Sequence, residues 1–264
     1  MSNEKKVTIQ QAFASANNRA FIPFITAGDP TLSVTKELIY AMAEAGASMI
    51  EIGIPFSDPV AEGPVIQEAN ERALRSGTTT DGIFAMIREI REDLSVPLVF
   101  LTYMNPIFTY GTNRFMAMCQ EVGIDAVIVP DLPFEEKEEI EASCEQYGII
   151  PISLIAPTSC ERIEKIAKNA KGFLYCVSSL GVTGVRNQLD SKLEDMIAIA
   201  RKNTHIPCAI GFGISTPQQA TELAAIADGV IVGSAIVRLI GTYGEDAVIP
   251  VKEYVRQMVK ACKK

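Results

Sequence analysis

Eight short apolar runs recur along this chain, and amphipathic segments separate each run from the next. The runs consist mostly of Val, Ile, Phe and Leu, which is typical of parallel strands buried on both faces. Between them the apolar residues recur every three or four positions, as at Ile83, Ile87 and Ile90, which indicates helices packed against a sheet. The predicted strands cover residues 21–27, 48–54, 96–103, 125–130, 149–155, 172–178, 207–212 and 228–234.

The alternation of eight strands with helices predicts an α/β fold, namely a (β/α)8 or TIM barrel. The chain has 264 residues and no linker rich in Ser, Pro or Gly, so residues 1–264 are expected to form a single barrel domain. A doubly wound open sheet is the alternative. Such a sheet usually carries GxGxxG after its first strand, where this chain has FITAGDP.

Three features are added to the basic barrel. An extra N-terminal helix within residues 1–20 is expected to plug the bottom of the barrel. Extended loops follow strands two and six, at residues 54–80 and 179–188, and both would lie at the C-terminal rim, where active sites of barrels are found. Two capping boxes predict the helix starts after strands five and seven: Thr158 with Glu161, and Ser215 with Gln218.

Charge and composition argue against several classes of protein. The net charge is −8, and no run of basic residues is longer than two, as in the terminal Lys263-Lys264, so no nucleic-acid partner is expected. No apolar run approaches the ~18 residues of a membrane span, and no secretory signal is present. Six cysteines without a CxxC pair, and a single histidine, His205, argue against a metal site. We expect buried, reduced thiols, a structural or surface histidine, and a cytoplasmic protein.

Glu51 is the strongest catalytic candidate, because it lies near the end of an otherwise apolar strand. A buried carboxylate without a partner costs several kcal/mol or stays protonated, and the raised proton affinity suits general acid–base catalysis. A structural Glu bonded to Ser, Tyr or backbone is the alternative. Other acids follow at Asp58 and Glu62 in the loop after strand two and at Asp131 after strand four, where Asp131 could instead cap a loop.

Three glycine clusters after strands six, seven and eight predict a phosphate site. They are Gly181–Gly184, Gly211–Ser215 and Gly233-Ser234, and the last of them opens a short helix. Glycines let backbone N–H groups close on an anion, and a helix N-terminus adds positive potential. Loops in this order form the common phosphate site of barrels. No lysine or arginine dominates the clusters, so backbone amides should bind a monophosphate ester.

Seven strings resemble the tryptophan synthase alpha subunit family, in family order and spacing over nearly the whole chain. They are FIPFITAGDP, IEIGIPFSDPVAEGPVIQ, LTYMNPIF, VIVPDLP, YCVSSLGVTGVR, IGFGIS and VIVGSAIV. The resemblance implies retro-aldol cleavage of indole-3-glycerol phosphate to indole and glyceraldehyde 3-phosphate. It also implies an α2β2 complex in which indole passes to a β subunit that holds pyridoxal phosphate, with no cofactor in this chain.

The resemblance assigns roles residue by residue. Glu51 matches the catalytic Glu that protonates indole C3, and Tyr175 matches the active-site Tyr. Phe24, Tyr103 and Phe212 match residues around the indole ring, and Thr183 matches a Thr that orders the catalytic loop. The phosphate ligands match Gly184, Gly213, Gly233 and Ser234. The partner-facing and loop-coupling positions match Pro55, Asp58, Asn105, Asp131 and Pro133.

One catalytic position departs from the family pattern. The family reads A-D-G-P after SDP, and its Asp holds the indole N–H, whereas this chain has Glu62 there. The charge is kept and the reach grows by one methylene. Three functional hypotheses follow: the lyase subunit; a binding or regulatory subunit that activates a β partner and cleaves poorly because of Glu62; and a free-standing indole-releasing lyase or another phosphosugar barrel enzyme.

Overall fold

The computed structural model describes residues 6–177, 186–211 and 213–264, with only the backbone of residues 186–191. Eight parallel strands follow one another around a closed barrel, and β1 pairs with both β2 and β8. This closure confirms the (β/α)8 prediction and excludes the open sheet. The strands are β1 Ala20–Thr26, β2 Ile50–Gly53, β3 Leu98–Leu101, β4 Ala126–Ile128, β5 Ile150–Ile155, β6 Leu174–Val177, β7 Cys208–Gly211 and β8 Gly229–Val232.

Helices surround the barrel and bury their apolar faces against the outer side of the strands. On the fourth helix Ile83, Ile87 and Ile90 are fully buried, as their spacing predicts. The helices are α1 Ile9–Ser15, α2 Leu32–Glu44, α3 Pro64–Arg75, α4 Thr80–Arg91, α5 Met104–Tyr110, α6 Thr112–Val122, α7 Glu138–Tyr147, α8 Cys160–Asn169, α9 Arg186–Asn203, α10 Pro217–Ala224, α11 Ser234–Tyr243 and α12 Val248–Cys262.

Helix α1 closes the N-terminal end of the barrel, as predicted. Its residues Ile9 and Phe13 are buried in the apolar cluster inside the strands, and the rings of Phe13 and Phe173 lie 5.7 Å apart. Gly229 at the start of β8 makes room for this plug, because a Cβ there would lie 2.9 Å from the Phe13 ring. Apolar side chains therefore fill the interior at this end, and the cavity described below opens toward the strands' C-terminal ends.

The long segment after β2 combines a loop with an additional helix. Residues 54–63 form the loop, and α3 then precedes α4, so two helices separate β2 from β3. Arg72 of α3 makes a bidentate ion pair with the buried Asp29 in the loop after β1, with both distances 2.8 Å. This pair anchors α3 over the rim. After β6, residues 178–185 lie outside the described residues.

Both predicted capping boxes are wrong by one residue. Ser159, rather than Thr158, caps α8: its backbone is extended, and its hydroxyl accepts the Arg162 amide. Thr216 and Gln219, rather than Ser215 and Gln218, form the box that starts α10. Adjacent hydroxyl residues compete for the cap, and the residue whose backbone is extended where the helix begins takes it.

The burial of the cysteines and of the histidine agrees with the expectation from the sequence, with one exception. Cys160 is exposed at the start of α8, whereas the other five cysteines are buried, and all six are free thiols. His205 is exposed between α9 and β7, which agrees with a surface role. Among the helices within the described ranges, none has the length and apolar character needed to cross a membrane.

Candidate active site

A cavity of about 950 Å³ opens at the C-terminal end of the barrel. Phe24, Glu51 and Tyr175 line its strand side, which we call the floor, while Glu62 comes from the loop after β2, which we call the rim. Inward-facing side chains of parallel strands converge on the barrel axis, so residues distant in sequence meet here. A side arm of the cavity runs over the outer face of β5, between Ile140 of α7 and Ile163, Ile166 of α8.

Glu51 lies at the floor without any hydrogen-bond partner among the described residues. It is fully buried, and its neighbours in strand register are Phe24 on β1 and Val99 on β3. Burial raises the pKa of this carboxyl to about 8, because nothing there compensates its charge for the loss of water. Glu51 is therefore mostly protonated at neutral pH and can donate a proton to a bound molecule.

Tyr175 and Phe24 complete the floor, and two glycines make room for them. Burial and the nearby charge of Glu51 raise the pKa of Tyr175 far above its usual range, so its phenol stays protonated. A Cβ at Gly211 would lie 2.6 Å from the Tyr175 ring, and one at Gly53 would lie 2.7 Å from the Phe24 ring. The floor is thus an aromatic surface around one neutral acid.

Glu62 lies at the rim in a polar surrounding. The Asn70 amide donates to its Oε2 atom at 2.6 Å, and the Tyr103 hydroxyl also contacts its carboxylate. Burial raises the pKa of Glu62, whereas these two hydrogen bonds lower it, because they stabilise the charged form. Tyr103 itself is 1% exposed and accepts the Ala61 amide at 3.3 Å, so it acts on the cavity from behind Glu62.

Backbone groups after β7 and β8 form one side of the cavity. Gly213, Gly233 and Ser234 all line it, and Ser234 is the first residue of α11. Gly213 has a φ of +76°, a left-handed conformation that favours glycine. Free amides at a helix N-terminus suit an anion. The other predicted residues of this kind, Thr183, Gly184 and Phe212, lie outside the described residues.

Of the predicted partner-facing residues, Asp131 and Pro133 line the cavity. Asp58, Asn105 and Pro133 are exposed, whereas Pro55 is buried within the chain. Asp131 accepts the Met104 amide at 3.1 Å, which links the loop after β4 to the start of α5. Beside them, a smaller hollow of about 290 Å³ is lined by Phe56, Thr80, Asn105, Pro106, Thr109 and Tyr110.

Two residues of the cavity region were not predicted from the sequence. Arg238 of α11 lines the cavity near Ser234 and adds a cation to the amide-rich side. Asn70 is buried on the face of α3 that packs toward the barrel, where the spacing from Ile66 and Ala73 predicts apolar residues. An amide at such a position is the signal that points to a buried polar partner.

The arrangement suits proton transfer to an aromatic molecule with an anionic tail. A neutral acid lies at the floor, a hydrogen-bonded carboxylate at the rim, and backbone amides on one wall. The acid at the floor can protonate a bound ring, and the carboxylate at the rim can stabilise the positive charge that results. The backbone amides can bind the anionic group at the other end of the molecule. Within the described residues, no three His, Cys, Asp or Glu side chains cluster as metal ligands.

Comparisons with known proteins agree on one family. The profile of the tryptophan synthase alpha chain family matches residues 10–263. The tryptophan synthase alpha chain of Lacticaseibacillus casei is 46% identical over 242 residues, covering 92% of this chain and 91% of that protein. The one from Halalkalibacterium halodurans is 43% identical over 261 residues, covering 95% and 98%.

Solved structures give the same result for the fold. The alpha subunit of Legionella pneumophila strain Paris superposes with a TM-score of 0.87 and 36% identity, covering 96% of this chain and 97% of that one. A chain of the tryptophan synthase α2β2 complex from Pyrococcus furiosus gives 0.85 and 37%, covering 92% and 98%. This chain belongs to the tryptophan synthase alpha chain family.

Proposed function

We propose that this chain is the lyase subunit of a cytoplasmic tryptophan synthase, which cleaves indole-3-glycerol phosphate to indole and glyceraldehyde 3-phosphate. The observation that carries the proposal is Glu51, a fully buried carboxyl at the floor of an aromatic-lined cavity, where no described residue forms a hydrogen bond with it. Keeping such a group costs stability, and its neutral form is suited to protonate a carbon atom of a bound ring.

In the proposed reaction Glu51 both gives and takes a proton. Its carboxyl protonates C3 of the indole ring, which leaves a positive charge shared with the ring nitrogen. The resulting carboxylate removes the proton from the hydroxyl on the carbon attached to C3. That carbon becomes the aldehyde, the C–C bond breaks, and its electron pair neutralises the ring. Glu51 ends the cycle protonated.

Glu62 and Tyr175 serve this reaction from opposite sides of the cavity. The Glu62 carboxylate accepts the indole N–H, and this contact strengthens as positive charge develops on the nitrogen, so it favours the transition state over the ground state. Tyr175 keeps its proton and borders Glu51, which places a hydroxyl beside the transferred proton. Phe24 packs on the ring, with Tyr103 behind Glu62 and Phe212 as a further ring contact.

The phosphate group of the substrate binds to the amide-rich side of the cavity. The ligands in this proposal are the backbone amides of Gly184, Gly213, Gly233 and Ser234, and Thr183 orders the neighbouring loop. Arg238 adds a positive charge to the same side. Amides at a helix N-terminus bind an anion without requiring a flexible side chain to be ordered.

A β subunit covers the rim in this proposal. Val60 and Phe108, in the segments after β2 and β3, are 79% and 77% exposed, so these two segments present apolar surface that a partner could cover. Pro55 is buried and would not contact a partner, whereas Asp58, Asn105, Asp131 and Pro133 are exposed in the segments after β2, β3 and β4. A partner that covers them would retain indole and deliver it to the pyridoxal phosphate of the β subunit, in an α2β2 assembly.

The test is a cleavage assay with purified chain and indole-3-glycerol phosphate. Formation of glyceraldehyde 3-phosphate is followed with and without a β subunit, and the Glu51→Gln variant in the complex is the control. We expect slow cleavage alone and a large rise with the partner. Absence of cleavage in both conditions would favour a binding or regulatory subunit, and equal rates would favour a free-standing lyase.

A further inference from the structure

A buried asparagine on α3 faces the rim carboxylate. Asn70 is 3% exposed, and its Nδ2 atom donates to Glu62 Oε2 at 2.6 Å. Its neighbours on the buried face of the helix are Ile66, Ala69 and Ala73. An amide among apolar residues is costly unless it is hydrogen-bonded, so the bond to Glu62 links the packing of α3 to the orientation of that carboxylate.

The two ends of this hydrogen bond are themselves fixed. The Arg72–Asp29 ion pair holds α3 against the loop after β1, and Arg72 follows Asn70 by two residues on the same helix. The Gln67 amide donates to the backbone carbonyl of Glu62 at 2.8 Å, which fixes the main chain just before the helix. The Glu62 side chain can still rotate about its own bonds, and Asn70 restricts this rotation together with the Tyr103 hydroxyl.

Restriction is most valuable for a glutamate. Its carboxylate has one more rotatable bond than that of an aspartate, so a single productive orientation costs more conformational entropy. We propose that Asn70 is a positioning residue for cleavage, which holds the Glu62 carboxylate toward the substrate N–H. This inference rests on the proposed function and adds to it a residue that acts through Glu62 rather than on the substrate.

The pKa of Glu62 depends on the hydrogen bond from Asn70, so the pH at which Glu62 titrates reports on this bond. Burial raises the pKa of Glu62, and the hydrogen bond from Asn70 offsets part of that rise. Without this donor the pKa of Glu62 should therefore rise further. In the pH profile of cleavage, Glu62 must be charged and Glu51 must be neutral, so they set the ascending and descending limbs. Among the described residues, the Tyr103 hydroxyl contacts Glu62, and the other ionisable side chains that line the cavity are Glu51, Asp131, Lys137, Glu141, Arg162, Lys171, Tyr175 and Arg238.

The test compares Asn70→Leu, which keeps the side-chain volume and loses the donor, with Asn70→Asp, which keeps size and polarity. In the complex, Asn70→Leu should lower kcat by about tenfold to a hundredfold, as for a lost hydrogen bond to a charged group. Its ascending pH limb should move up by about one unit while the descending limb stays. Asn70→Asp should move the ascending limb at least as far, because a second carboxylate repels Glu62.

A matched control removes a comparable side-chain amide far from the cavity. Asn203 near the end of α9 donates to the Ile199 carbonyl at 2.9 Å, and Asn203→Leu should leave both limbs unchanged. In a Glu62→Gln background, Asn70→Leu should reduce the residual rate by less than about twofold.

Three results would overturn the proposal. The first is an unchanged ascending limb in both Asn70 variants while Glu62→Gln is impaired. The second is an equal loss from Asn70→Leu with and without Glu62, which would indicate a purely structural role. The third is a wild-type complex without cleavage, which would overturn the proposed function as well and is thereby distinguished from the first two. If Asn70→Leu does not fold, the position of the ascending limb in Asn70→Asp tests the proposal.

Discussion

At the floor of the cavity, Glu51 lies on a strand and has no hydrogen-bond partner in the part of the chain that the structure describes. At the rim, Glu62 extends from a loop and accepts hydrogen bonds from Asn70 and Tyr103. Both side chains are glutamates removed from bulk water to a large degree. Burial raises the pKa of both carboxyls, but at Glu62 the two donors offset part of that rise because they stabilise the charged form, whereas no described residue does so at Glu51. Two identical side chains are thereby prepared for opposite roles.

Replacement of the floor carboxyl should have the largest effect. Glu51→Gln keeps the size and the neutral character of the group, so the fold and phosphate binding should persist, while turnover falls by about 10²–10⁴ because no proton is available. Turnover is measured as glyceraldehyde 3-phosphate formation in the complex. Glu141→Gln, the same exchange in the side arm of the cavity, is the control and should be nearly silent. Near-normal turnover of Glu51→Gln would remove Glu51 from the mechanism.

At the rim the effect should depend on whether the charge is kept. Glu62→Ala should lower kcat by about 10², since it removes the charge that stabilises the N–H in the transition state. Glu62→Asp restores the family residue and should stay within about tenfold of the wild type, roughly 1.4 kcal/mol in barrier. A harmless Glu62→Ala would redirect the role to Asp58 or Asp131. A hundredfold gain in Glu62→Asp would instead favour the regulatory-subunit hypothesis.

The sequence predicted the floor better than the rim. Glu51 could be recognised from the pattern because it is the one charged residue in the apolar run Met49–Gly53. Its inward direction follows from the structure, where it lines the cavity. At the rim the acid was found and its partner was not, because the Glu62–Asn70 contact depends on where α3 begins. Helix starts are set by backbone conformation, and the one-residue errors at Ser159 and Thr216 have the same origin.

The smallest effect is expected at the amide-rich wall. Gly213→Ala should raise KM for indole-3-glycerol phosphate by about tenfold with kcat little changed, because a Cβ strains the left-handed turn that presents the amides. Gly148→Ala is the matched control: it has a similar φ of +67°, at the C-terminal end of α7. It should lower stability without changing KM. Equal KM values for the two variants would place the phosphate elsewhere on the rim.

The most direct test of the difference between floor and rim is a measurement of the Glu51 pKa itself. The side-chain carboxyl carbons of the glutamates are labelled with ¹³C, and their chemical shifts are followed from pH 4 to pH 10, with Glu51→Gln assigning the signal that disappears. We expect the titration midpoint of the Glu51 carboxyl at about pH 8, because burial raises its pKa. A midpoint near the ordinary value of 4.5 would mean that the floor carboxyl is charged at neutral pH, and would contradict its role as the proton donor.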